Sequence, residues 1–153
     1  MMGIQKLTDI DYQALAEFRY QIRCFLRFSE QAARAASLEP QQHQVLLSIK
    51  GLPVGKKATI GALAERMQLE HHSTVELVDR LEEKGLVRRL RDDADRRQVL
   101  LEITASGEEI LRELSVHHLD ELGSVGPTLV RVLNTLVGKA GVGDKKSRIA
   151  SIK

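Results

Sequence analysis

The chain has 153 residues, which predicts one folding unit with a proper core and leaves too little length for two independent ones. Hydrophobic residues make up 42% and charged residues 29%, ordinary values for a soluble globular protein, while aromatics are only 3%, so aliphatic side chains must fill the interior. A net charge of +2 identifies no polyanionic partner by itself. No apolar run approaches the roughly 20 residues that span a bilayer, and the start (Met1, Met2, Gly3, Ile4, Gln5, Lys6) has no apolar signal-peptide core, which predicts a cytoplasmic protein with no membrane partner.

After an N-terminal extension over residues 1–8, the apolar positions Leu15, Phe18, Ile22, Phe25 and Leu26 recur at spacings of three and four. With Ala32, Ala33, Ala35 and Ala36 they predict one long amphipathic helix from Asp9 to about Ala36. Cys24 lies within it and, as the single cysteine, closes no intramolecular disulfide and builds no multi-cysteine metal site. Its neighbours Ile22 and Phe25 predict a buried or partly buried thiol, with a redox thiol as the alternative.

Leu38, Glu39 and Pro40 interrupt this helix, and a second can start at Pro40, whose missing donor is harmless in a first turn. It carries Val45, Leu46 and Ile49 inward and stops near Gly51. The segment from Gly51 to Lys57 has two glycines and two lysines but not the spacing of a phosphate loop, and no Ser or Thr follows the lysine, so it is a surface loop.

Thr59 can cap a short helix from Ile60 to about Met67, with Ile60, Leu63, Ala64 and Met67 on one face. Three residues later, Thr74, Leu77, Val78 and Leu81 form the apolar stripe of a helix from His71 to about Lys84, and Gly85 is placed to end it in a left-handed conformation. This pair is a candidate helix-turn-helix. Beyond it, Leu86 to Arg91 and Gln98 to Ile103 are short segments, the second with the period of two that a strand requires, around a polar, turn-prone run of Asp92, Asp93, Ala94, Asp95, Arg96 and Arg97. They predict a hairpin.

Thr104 can cap a further helix carrying Ile110, Leu111, Leu114 and Leu122, which Gly123, Gly126 and Pro127 are expected to break. A last helix then carries Leu129, Val130, Leu133, Leu136 and Val137, and residues 139–153 are expected to form a flexible basic tail.

A helix that reads DNA buries one stripe and offers polar side chains, chiefly from its N-terminal part, to the major groove. The helix starting at His71 offers His71, His72, Ser73, Thr74, Glu76 and Arg80, with Thr74 also counted on its inward stripe. The hairpin adds Arg88, Arg89, Arg91, Arg96 and Arg97, beside Asp92, Asp93 and Asp95, which can orient the guanidinium groups. Arginines would supply phosphate affinity and salt dependence, while the helix would choose sequence.

The residues from Leu63 to Met67 and from Leu77 to Val87 resemble the helix pair of the MarR family of transcriptional regulators. Asp95, Arg97, Leu101, Ile103 and Thr104 fall in the spacing of that family's wing signature. The resemblance spans residues 9–138 and implies a mainly α (α+β) fold, a winged helix-turn-helix over 40–103 with a two-stranded wing. It also implies dimerisation helices over 9–36 and 104–138. The implied function is a sequence-specific double-stranded DNA-binding regulator, a homodimeric repressor on a roughly palindromic operator, released by a small aromatic ligand. By the same resemblance Arg97 enters the minor groove and Asp95 braces it, while the two reading helices stand about 34–36 Å apart. Glu70 and Glu76 depart from the family's pattern, since Ser or Thr is common at the first and a basic or polar base-contacting residue at the second. Cys24 sits further along the first helix than the family's sensing cysteines.

Two other classes compete with this reading. A metal sensor or enzyme would use the pairs His71, His72 and His117, His118 with His43, but adjacent histidines on a helix point about 100° apart and form no chelating pair. The expectation is therefore no metal, no cofactor and no catalytic residue, and neither a nucleophile elbow nor a dinucleotide-binding glycine run is present. A purely helical interaction module is the other alternative, for which the basic hairpin would be incidental.

Overall fold

The computed structural model describes residues 6–140, in the order α1 (Asp9–Ala35), α2 (Pro40–Lys50), α3 (Ile60–Met67), α4 (His71–Glu83), β1 (Val87–Arg91), β2 (Val99–Ile103) and α5 (Ala105–Ala140). The starts of four helices are fixed locally by side chains. Thr8 donates its backbone N–H to the Asp11 carboxylate at 2.7 Å at the head of α1, and Gln42 Oε1 accepts from the Glu39 N–H at 3.0 Å at the head of α2. Thr59 Oγ1 accepts from Ala62 N–H at 3.1 Å, and Thr104 Oγ1 from Gly107 N–H at 3.2 Å, so both threonines cap the helices predicted for them.

Three helices end in the same way. At Ser37, Gln68 and Gly85 the backbone turns left-handed, with φ of 61°, 54° and 71°. The next residue then sends its N–H back to a carbonyl five residues earlier: Leu38 to Ala33, Leu69 to Ala64 and Leu86 to Leu81, at 2.9, 3.0 and 3.0 Å. The apolar residue after each turn is drawn into the core: Leu38 and Leu86 are buried, and Leu69 packs against the same cluster. One of these turns separates α3 from α4 and sets the geometry of the helix pair.

The chain falls into two compact units, one of residues 28–118 and the other of the described residues up to Arg27 and from Leu119. In the first, Val45, Leu46, Leu63, Val78, Leu81 and Val87 are completely or almost completely buried, so α2, α3, α4 and the hairpin share one aliphatic core. Removing each such side chain from water contributes about 1.5–3 kcal/mol. The strands pair antiparallel, from Val87 opposite Ile103 to Arg91 opposite Val99. The far edge of β2 is tied down too, because Leu101 N–H donates to the Ala58 carbonyl at 2.8 Å just before α3.

In the second unit the expected break does not occur: α5 runs unbroken for 36 residues through Gly123, Gly126 and Pro127. An internal proline removes one hydrogen bond and two glycines add about 1 kcal/mol each, a cost a long helix can carry when its inward stripe continues. Here it continues through Leu129, Val132 and Leu136, of which Val132 is buried. Lys139, assigned from sequence to the tail, is instead helical and pairs with Asp11 at 2.9 Å. That hydrogen bond, then those from Thr8, pulls the Asp11 carboxyl down to about 2. The remainder of the predicted tail, from residue 141, lies outside the described residues.

Candidate nucleic-acid interface

The first surface is the front of α4. Its inward stripe of Thr74, Leu77, Val78 and Leu81 is buried in the core, which forces the opposite face outward. His71, His72, Glu76 and Arg80 are exposed there and Ser73 is half-buried. Thr74 corrects the sequence-based assignment: it has no exposed surface, and its hydroxyl donates to the Glu70 carbonyl at 3.1 Å, so it belongs to the core and not to the reading face. Glu70 stands at the N-cap in extended backbone but makes no side-chain cap bond. The positive end of a 13-residue helix is thus presented next to two histidines and a serine, a setting that favours an anionic oxygen.

The second surface is the hairpin, whose five arginines separate into two groups. Arg88 and Arg89 are paired. The Arg88 guanidinium reaches Glu102 on β2 at 2.5 Å, and this carboxylate raises its pKa. Arg89, with its side chain 28% exposed, puts Nη2 at 2.6 Å from Asp79 and Nη1 at 2.9 Å from Glu82, both on α4. Burial works against its charge, and the two carboxylates more than offset that, so its pKa is raised.

Arg91, Arg96 and Arg97 form the exposed group at the tip. Arg91 Nη1 donates to the Arg96 carbonyl at 3.2 Å across the turn. Asp95 accepts from the Arg97 backbone N–H at 3.1 Å and from its Nε at 3.3 Å. The carboxylate therefore aims the guanidinium while leaving the side chain 94% exposed. Both surfaces belong to the unit of residues 28–118.

Sequence reasoning missed several parts of this unit. Asp92, grouped from sequence with the acids that orient arginines, is buried and holds Lys57. The Lys57 hydrogen bond, then the Ala94 amide, keeps its carboxyl below the usual range. Gly107 is also buried, and a Cβ added there would lie 2.3 Å from the Leu86 carbonyl oxygen, so α5 can start this close to β1 only without a side chain. His43 is 2% exposed, with its ring centroid 5.0 Å from that of His118. His118 Nδ1–H donates to the Leu114 carbonyl at 2.6 Å, and its Nε2 lies 2.7 Å from Ser29 Oγ. Burial, then the neighbouring His118, pushes the His43 pKa down to about 4.

The expectation of a buried thiol is also corrected, because Cys24 is exposed: Ile22 and Phe25 are partly buried, and the two residues between them, Arg23 and Cys24, turn outward. Among the described residues, no group of three or more His, Cys, Asp or Glu side chains is arranged to hold a metal ion.

A model of the MarR family matches residues 36–98, which contain α2, α3, α4, β1 and the hairpin turn. An uncharacterised HTH-type transcriptional regulator of Bacillus subtilis, YcgE, is 31% identical over 137 residues, 87% of each chain. A second from the same organism, YsmB, is 41% identical over 56 residues, which is 37% of this chain and 38% of that protein's length. Among solved structures, a MarR family protein from Bacillus stearothermophilus superposes with a TM-score of 0.69 at 23% identity, covering 89% of this chain and 99% of that one. A mutant of MepR from S. aureus, bound to an oligodeoxyribonucleotide, has a TM-score of 0.61 at 20% identity, covering 90% and 94%. CouR from Rhodococcus jostii, bound to p-coumaroyl-CoA, has a TM-score of 0.62 at 23% identity, covering 81% and 88%. With the helix pair, the two-stranded wing and the tip acid and arginine already in place, these likenesses agree on one assignment: the chain belongs to the MarR family of transcriptional regulators.

Proposed function

We propose that this regulator binds double-stranded DNA sequence-specifically as a homodimer, represses from a roughly palindromic operator, and is released by a small aromatic ligand. One observation carries the reading. The front of α4 and the tip of the hairpin, two polar surfaces of the same unit, are both uncovered: His72 is exposed and the Arg97 side chain is 94% exposed. On this reading His71, His72, Ser73, Glu76 and Arg80 face the major groove, with Glu76 accepting from a cytosine amine. Arg97, braced by Asp95, enters the minor groove, while Arg91 and Arg96 contact phosphates.

In this proposal residues 40–103 read DNA, and the helical segments 9–36 and 104–138 dimerise. Support comes from the apolar side chains that the single chain leaves in water: Ile10, Tyr12 and Leu15 on α1, and Val130, Leu133 and Val137 on α5. A cavity of about 490 Å³ lined by Phe28, Ala32, Ala36, Leu114 and His117 has the size and the largely apolar wall that a small aromatic molecule requires. The place of work is the cytoplasm, where the operator is.

Fluorescence anisotropy of a labelled duplex, titrated with the protein at several salt concentrations, tests the central claim. Binding should weaken steeply with salt, by roughly one power of the salt concentration for each phosphate contact. Failure to bind any duplex at low salt would refute it.

A further inference from the structure

Of the two paired arginines on the hairpin, Arg88 is held within the sheet by Glu102, whereas Arg89 reaches across to α4. Arg89 makes three ties to α4: its two terminal nitrogens reach Asp79 and Glu82, and its own backbone N–H donates to the second Glu82 oxygen at 3.2 Å. Asp79 and Glu82 are three residues apart on a helix and so share one face. A single strand residue thereby grips one side of the candidate reading helix. Across the sheet, Arg89 is opposite Leu101, which is buried and hydrogen-bonded to Ala58. The hairpin is held at this level from both sides.

We infer that Arg89 is a positioning residue for DNA recognition: through Asp79 and Glu82 it fixes the hairpin against α4, without touching DNA itself. The inference rests on the DNA-binding reading above, because it assigns how that site is held in shape. Two surfaces that must meet the same rigid duplex bind well only if their relative placement is set beforehand. A planar guanidinium engaging two carboxylates from a strand that also donates its backbone N–H limits both rotation and sliding at the root of the hairpin. Lysine could not replace it, since an ammonium lacks the fork that spans both acids.

A mutant cycle on the full-length protein tests this with wild type, Arg89→Ala, the double variant Asp79→Ala/Glu82→Ala, and the triple variant. Each is titrated against a labelled mixed-sequence duplex of about three helical turns at several salt concentrations. Arg89→Ala is expected to weaken binding about tenfold in the wild-type background and by less than about twofold when both acids are already gone. The slope of affinity against salt should stay the same. An equal loss in both backgrounds, or a slope reduced by about one, identifies Arg89 as a phosphate contact and overturns the inference.

A second measurement needs no DNA. Amide hydrogen exchange of the hairpin in the free protein should quicken in Arg89→Ala, and not further in the triple variant than in the double. Unchanged exchange overturns the strut. If the wild type binds no duplex, the DNA reading and the positioning role fall together, while the exchange result still decides whether the strut exists.

Discussion

Mild acid is expected to destabilise this protein through His43. Its ring is enclosed, 2% exposed, and is held neutral in the folded state with a pKa of about 4 against an ordinary 6.5. Below pH 6.5 the unfolded chain takes up a proton that folded His43 refuses, so protonation favours unfolding. Stability is complete above pH 6.5 and is lost as the pH falls toward 4. Each tenfold rise in proton concentration across this window costs about 1.4 kcal/mol, so the loss is about 2 kcal/mol at pH 5 and approaches about 3 kcal/mol at pH 4. Asp11, lowered from 3.8 to about 2, is ionised in both the folded and the unfolded chain down to about pH 5 and so does not obscure the effect between pH 7.5 and 5. For a chain of this size, the change between pH 7.5 and 5 should lower Tm by about 4–8 °C. Differential scanning calorimetry at fixed protein concentration, with His43→Gln as the non-titrating comparison, measures it. Whatever Tm the variant starts from, it should fall less between the two pH values. An equal fall in both proteins would refute the reasoning, because the acid sensitivity would then come from other groups.

Three further outcomes are expected. Gly107→Ala should destabilise by about 1–3 kcal/mol in urea unfolding, since the added Cβ meets the Leu86 carbonyl oxygen at 2.3 Å and the Ile103 side chain at 2.6 Å; unchanged stability would show that α5 can move away from the hairpin freely. Leu133→Asp should shift the protein from dimer to monomer in sedimentation while its helical circular dichroism persists, because this apolar side chain is 41% exposed in the single chain; an intact dimer would contradict the interface assigned to α5. Arg97→Ala should weaken duplex binding and lower the salt slope by about one, with Tm unchanged because the side chain is almost wholly solvated; full affinity would remove it from the interface.

Features that depend on residues a few positions apart were legible before folding. Thr59 and Thr104 announced their helices because a hydroxyl three residues before a free amide has little else to do, and Gly85 announced the end of α4 because glycine tolerates a left-handed turn. The same turn at Ser37 and Gln68 went unread, since neither residue type signals it. Pro127 signalled a break that was not made, because the decision lay with Leu129, Val132 and Leu136 continuing the face of α5.

The candidate site divides along the same line. Its residue types and order, two histidines and a serine at a helix start followed by an acid and arginine at a hairpin tip, stand in the sequence and suffice to suggest DNA. The division of labour among the arginines does not. Arg89 differs from Arg97 only because Asp79 and Glu82 come within reach of one and solvent surrounds the other. Likewise Thr74 left the reading face once α4 was rotated into its core, and His43 met His118 from 75 positions away in the chain. Local sequence determines which hydrogen bonds and apolar stripes each element can offer. Which charges pair and which rings lose their water is decided only when the elements pack, because electrostatic and desolvation energies depend on distances through space and not on separation along the chain.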